Sequence, residues 1–255
     1  MSWQFKQLGE LLYLLVQKEL KVRYKSSVLG YLWALANPFA FAFIYYIAFK
    51  IIMRVQMPNY SIFLLTAMFP WLWLSNSLIQ ATASYRNNAS LVKKVNMNRA
   101  VLPLSNVMHE MVHFFFAIPI LLLFIWFAGD GFFMSWIWQI PLMILLQLIF
   151  VYPLALILAI SNVFIHDVEY LIGILLSMLF FLTPIVYPLS MVPERYLPYF
   201  ENSPLALLIE NWRGVFLNGY VNASNYLLVL GISLLMWGVA VLLYHKKAPK
   251  LGELL

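Results

Sequence analysis

Residues 137–161 read IWQIPLMILLQLIFVYPLALILAIS, twenty-five positions without one charged side chain. At 1.5 Å per residue, about twenty helical residues cross a hydrocarbon core of roughly 30 Å. The stretch is therefore long enough to span a bilayer as one helix. Comparable runs recur at about 31–53, 61–84, 106–128, 169–187 and 225–244. Across 255 residues, 64% are hydrophobic and 10% charged, against roughly 25% charged in an ordinary soluble domain. A soluble core of this size cannot hide so much apolar surface. A membrane β-barrel would instead alternate in short segments between turns. The expected fold class is an all-α integral membrane bundle with six transmembrane helices per protomer.

Charge sets the orientation. Lys6, Lys18, Lys21, Arg23 and Lys25 precede the first span; Arg86, Lys93, Lys94 and Arg99 lie between the second and third; Lys246, Lys247 and Lys250 follow the sixth. The other face carries only Lys50, Arg54, Arg195 and Arg213. The positive-inside bias makes the first face cytoplasmic, with both termini on it. The net charge of +6 is accounted for by this topology, and no nucleic-acid partner is expected. The first 25 residues are too charged for a secretory signal peptide, and zero cysteines exclude disulfides and thiolate chemistry.

The interspan regions have their own patterns. Leu8, Leu11, Leu12, Leu15 and Val16 form a helical stripe within residues 1–30, predicting an amphipathic cytoplasmic helix lying along the membrane surface. NNASLVKKVNMNRAVLP (87–103) is basic, with Leu91, Val95 and Arg99 at helical spacing. Between about 184 and 220, Pro184, Pro188, Pro193, Pro198 and Pro204 are interleaved with Tyr187, Tyr196, Tyr199 and Phe200. Prolines at that density forbid a straight spanning helix, so short helices dipping into the outer leaflet are expected, as a pore exit or as a structured loop. Residues 31–244 thus make the six-span domain and 245–255 a cytoplasmic tail. No internal repeat is evident, unlike transporters built from inverted repeats.

Three groups invite chemical readings. His109-Glu110-Met111-Val112-His113 matches H-E-x-x-H, which on a helix aims two imidazoles at one zinc ion. A catalytic zinc needs a third ligand, and His166 and His245 belong to no third-ligand motif. Packing or hydrogen bonding is the preferred reading, no metal is expected, and a membrane zinc protease is the alternative. In the second span, Asn76, Ser77, Gln80 and Ser84 form a polar stripe one turn after Trp73; such groups bond a neighbouring helix or line a hydrated conduit. The first span holds Phe39, Phe41, Phe43, Tyr45 and Tyr46, and aromatic faces in mid-span either pack or stack on sugar rings. No G-x-x-x-x-G-K-[ST] run occurs. Energy for uphill transport must therefore come from a partner on the cytoplasmic face.

Five runs carry a family resemblance: RYKSSVLGYLWALANPFAFAFIYYIAF (23–49), FPWLWLSNSLIQATASYRNNASLVKKVNMNRAVLPLSNVM (69–108), NVFIHDVEYL (162–171), FFLTPIVYPLSMVP (180–193) and NSPLALLIENWRGVFLNG (202–219). Together, in this order, they resemble ABC-2-type exporter permeases, especially those moving O-antigen and related cell-surface polysaccharides. The sequence departs from that pattern at His166, where the family often has arginine, and at Asn202-Ser203-Pro204, where an Asn-Pro pair is interrupted.

The resemblance implies a homodimer in the bacterial inner membrane, surrounded by membrane lipids, with a pore lined by spans one, two and five. Two copies of a separate ATPase would drive it, with ATP and magnesium bound there and no cofactor in this chain, which would itself not be an enzyme. The substrate would be lipid-linked polysaccharide of the O-antigen type; teichoic acid, capsule or a small molecule are alternative cargoes. A coupling helix at about 87–99 would seat in the ATPase through Asn88, Leu91, Val92, Lys94, Val95 and Arg99. His166, Asp167 and Glu169 would make a second cytoplasmic contact. Phe39, Phe43, Tyr46, Trp73, Asn76 and Gln80 would line the pore, and Pro184, Tyr187, Pro188, Glu210 and Arg213 would shape the outer gate.

Overall fold

The structure is a computed structural model that describes residues 2–24, 36, 39–41, 43–44, 46–52, 54, 57, 59–95, 97–127 and 131–255. Much of the expected first span, 31–53, lies outside the described residues. Within them the chain is helical, with no strand. The helices are α1 (Ser2–Tyr24), α2 (Tyr60–Asn87), α3 (Ala89–Lys94), α4 (Val101–Phe127), α5 (Trp136–Phe164), α6 (Val168–Leu182), α7 (Leu197–Glu201), α8 (Pro204–Asn218), α9 (Ala223–Lys247) and α10 (Leu251–Leu254). Among the described residues four helices are long and apolar enough to cross a membrane: α2, α4, α5, and α9 with its continuation to Leu254. They coincide with the runs at 61–84, 106–128, 137–161 and 225–244. The run at 169–187 gives only the 15 residues of α6, about 22 Å of helix, because Thr183 and Pro184 turn the chain out of it.

α2 is the central helix, packed against α4, α5, α6 and α8. Lipid tails are as apolar as leucine, so burial alone gives such helices little reason to associate. Here they are joined by side-chain donors aimed at backbone carbonyls. Trp73 Nε1 donates to Val107 O (3.1 Å), Asn162 Nδ2 to Thr82 O (3.0 Å), and Trp237 Nε1 to Ile149 O (3.0 Å). The fully buried Gln147 of α5 bridges two helices at once. Its Nε2 donates to Pro70 O of α2 (2.8 Å), and its Oε1 accepts from Trp212 Nε1 of α8 (2.6 Å).

The proline-rich segment after α6 is irregular but covered. Ile185 and Val186 are buried, and Arg213 of α8, only 4% exposed, holds them down. Its Nη2 donates to Ile185 O and its Nη1 to Glu210 Oε1 (both 2.6 Å), while the guanidinium lies 3.7 Å over the Phe63 ring of α2. Tyr60 donates to Val186 O (2.9 Å) and Tyr187 to Phe181 O (2.8 Å). Gly219 closes α8 in the left-handed region (φ 63°), where a Cβ would meet the Phe133 ring at 2.5 Å.

At the other end, α1 packs on α4. Leu15 is buried with Tyr85, Val92, Leu102 and Leu251, and Leu8, Leu11 and Leu12 flank that cluster. The leucine stripe of α1 thus covers the end of the bundle.

Gln147→Leu is expected to strand the buried Trp212 N–H, destabilising the protein by roughly 1–3 kcal/mol. The measurement is thermal unfolding of purified protein in detergent, with a lower midpoint expected and an unchanged one contradicting the bridge.

Candidate functional site

Three regions gather the residues singled out in the sequence. The first is segment 88–100, at the end of the bundle that α1 covers. Its helix is shorter than the expected 87–99: α3 ends at Lys94, and Val95 is extended (φ −111°, ψ 126°). Asn98 Oδ1 accepts from Ala100 N (3.1 Å). That local turn competes with helix continuation and launches α4. Arg99 is therefore on a different element from Leu91. Asn88 is tied at both ends, donating to Ser84 O (2.9 Å) and accepting from Lys18 Nζ of α1 (2.8 Å). Val92 is 1% exposed and belongs to the chain's own core, with Leu91 packed beside it. Lys93 and Lys94 are exposed, and Val95 is the outward apolar side chain, 46% exposed. The neighbouring 165–168 turn carries exposed His166 and Asp167; Glu169 pairs with Arg86 of α2 at 3.4 Å.

The second region explains the polar stripe. Asn76 Nδ2 donates to Glu110 Oε2 (3.3 Å) and Gln80 Nε2 donates to Glu110 Oε1. His109 Nδ1 lies 3.3 Å from the same carboxylate, and His113 Nε2 lies 3.3 Å from His109 Nε2. Asn76 and Gln80 of the α2 stripe and the H-E-x-x-H motif of α4 thus form one interhelical network, a partnership that neither pattern reveals alone, while the buried Ser77 and Ser84 hydroxyls stand outside it. His109, Glu110 and His113 present ligand atoms within 4.8 Å of one another, and among the described residues no further His, Cys, Asp or Glu joins them. Glu110 is the one carboxylate of that group, and Asn76 and Gln80 both bond to it. Trp73, a turn earlier, is buried and stacks on Phe114 (centroids 5.3 Å), between α2 and α4.

The third region is a groove between α2 and α6, about 320 Å³, whose walls include Phe41, Trp71, Ser75, Ser177, Phe180 and Phe181. It combines aromatic faces with hydroxyls. Phe41, α2 and α6 come from the runs at 31–53, 61–84 and 169–187. Phe39 instead lies beside Phe124 of α4 (centroids 5.9 Å). Phe43 and Tyr46 are exposed, and neither is among the groove's lining residues. The sequence singled out the Phe39 face; the contribution of Trp71, Phe180 and Phe181 was hidden because adjacent aromatics in α6 carry no periodic signal.

Residues 10–217 match the family model described as ABC-2 type transporter. The chain is 39% identical over 255 residues to an O-antigen export system permease protein RfbA of Klebsiella pneumoniae, covering 100% of this chain and 98% of that one. It is 30% identical over 250 residues to the RfbA permease protein of Myxococcus xanthus, covering 95% and 94%. To the polysialic acid transport protein KpsM of Escherichia coli it is 27% identical over 234 residues, covering 88% and 89%. With four bilayer-length helices and a family match across most of its length, the chain belongs to the ABC-2 type transporter family of membrane proteins.

Proposed function

We propose that this protein is the permease subunit of an ATP-driven exporter that carries lipid-linked O-antigen-type polysaccharide outward across the bacterial inner membrane. The observation that carries this reading is end-to-end similarity to O-antigen export permeases, without large gaps in either chain. The more distant similarity to a polysialic acid transporter supports polysaccharide as the cargo class. The same kinship favours export over the protease alternative.

In this reading the protomer has six spans: α2, α4, α5, α6, α9, and one within 31–53. Two protomers pair to enclose the pore. The groove between α2 and α6 supplies part of its wall, where aromatic rings meet the apolar faces of sugars and Ser75 and Ser177 offer hydrogen bonds. Such contacts are weak singly and sequence-tolerant, as a sliding polymer requires. The segment held by Arg213 closes the outer end.

Energy enters at the basic face. A separate ATPase binds ATP and magnesium and closes on α3, with Val95, Lys93 and Lys94 outermost. Its closure displaces α3, and the packing of Val92 in the core passes that displacement to the spans. The bundle then moves between two packings whose contacts with the ATPase differ. The Arg86–Glu169 pair links the second cytoplasmic turn to the same end of α2.

Val95→Asp, or Lys93→Glu with Lys94→Glu, is expected to weaken ATPase co-purification by about tenfold or more, equivalent to ~1.4 kcal/mol, with membrane insertion unchanged; retained pairing would contradict the coupling role. Phe41→Ala and Phe181→Ala are expected to slow the appearance of polysaccharide at the cell surface several-fold, with Phe39→Ala having the smaller effect. Equal effects at Phe39 and Phe41 would contradict the groove as pore wall.

A further inference from the structure

The tail after α9 does not trail into solvent. Leu251 of α10 is fully buried, in the cluster that holds Val92 and Leu102. Tyr244, in the last turn of α9, donates its hydroxyl to Asn98 Oδ1 (2.7 Å) and accepts from Ala100 N (3.3 Å). Arg99 Nη1 donates to Ala248 O, and a Cβ on Gly252 would come within 3.2 Å of the same guanidinium. Residues 244–252 are thus clamped to the 88–100 segment from the far end of the chain.

Between the clamped parts lies a cavity of about 550 Å³ whose walls include Lys93, Lys94, Arg99, Tyr244, His245 and Pro249. None of its described lining residues is an acid. The hydrogen bonds and the Leu251 anchor fix the Arg99 and Tyr244 side of the space, while Lys93 and Lys94 border it from the exposed face of α3.

We infer that this cavity is a socket for an acidic side chain of the ATPase partner, and that the C-terminal tail is therefore half of the ATPase-docking surface. The inference rests on the reading of α3 as ATPase-facing. It adds the chemistry of the partner's contact, a carboxylate, and a second element, residues 244–249. Charge complementarity argues for the occupant: Lys93, Lys94 and Arg99 all border the space, and none of its described lining residues is an acid. Continuity argues for it too, since Lys93, Lys94 and Val95 are both the outer surface of α3 and one wall of the socket. A body covering α3 also covers the cavity.

The test is binding of the cognate ATPase to full-length permease in nanodiscs at low and high salt, comparing wild type, Val95→Asp, His245→Asp and a chain ended at Lys247. His245 is exposed, so His245→Asp fills the socket with a fixed carboxylate at little risk to folding. About tenfold weaker binding of His245→Asp, with a shallower salt dependence, and a similar loss on truncation are expected. If Val95→Asp abolishes binding while His245→Asp binds as wild type does, the socket is refuted and the coupling role of α3 stands. If neither variant weakens binding, the coupling reading itself fails and the socket with it. If ATPase affinity is unchanged but His245→Asp loses retained phosphatidylglycerol, the cavity belongs to a lipid phosphate and the inference is overturned.

Discussion

Hydrocarbon offers no hydrogen-bond partner, so every polar group carried into a bilayer must be satisfied by the protein itself. The main helix crossings follow that constraint, although some buried polar atoms, among them Ser77 Oγ and Asn162 Oδ1, have no hydrogen-bond partner. Gln147 does not merely avoid exposure: it uses its N–H on the Pro70 carbonyl and its oxygen on the Trp212 N–H, joining α2, α5 and α8. Trp73, Asn162 and Trp237 serve the same end at other crossings. The network around Glu110 is the most polar example, two amides donating to one carboxylate at the contact of α2 with α4, with His109 Nδ1 3.3 Å away. Removing one member of such a group leaves the others desolvated and unpaired, which costs more than the bond itself contributes.

The same constraint shapes both ends of the bundle. The chain after α6 can run irregularly because Arg213, Tyr60 and Tyr187 occupy its carbonyls or those beside it. Without those donors, residues 183–188 would expose backbone that only water could satisfy. At the opposite end, the short helix α3 and the loop after it are held by side chains from α1, α5 and α9: Lys18 on Asn88, Tyr152 on Ala100 O, Tyr244 on Asn98. These contacts tie α3 and the loop after it to three helices at once.

Much of this was legible in the sequence, for physical reasons. Long uncharged runs are imposed by bilayer thickness, so α2, α4, α5 and α9 were readable to within a few residues at most ends. The leucine stripe of α1 announced its buried face. What failed to show were contacts between separate patterns. Asn76 and Gln80 were visible as a polar stripe and His109–His113 as a motif, but nothing in either names the other as partner. The helix expected over 87–99 stopped at Lys94 because the Asn98 side chain captures the Ala100 N–H, a local competition that an amphipathic pattern conceals. Val92 points into the core and Val95 outward, a distinction that depends on that same break. Phe39 and Phe41 differ by two residues and hence by opposite sides of a helix; which one meets α2 and α6 is decided by rotation, which the sequence leaves free. The tail was marked only by its lysines, with no sign that Leu251 is an anchor.

In the proposed function, this chain forms the conduit and a separate ATPase drives it. The most direct measurement is reconstitution of the permease with its cognate ATPase in proteoliposomes carrying lipid-linked polysaccharide on the ATPase side. Appearance of glycan on the opposite side, scored by a membrane-impermeant lectin or glycosidase, is predicted only when both proteins and hydrolysable ATP are present. Translocation by the ATPase without this chain, or none with both proteins paired and hydrolysing ATP, would contradict it.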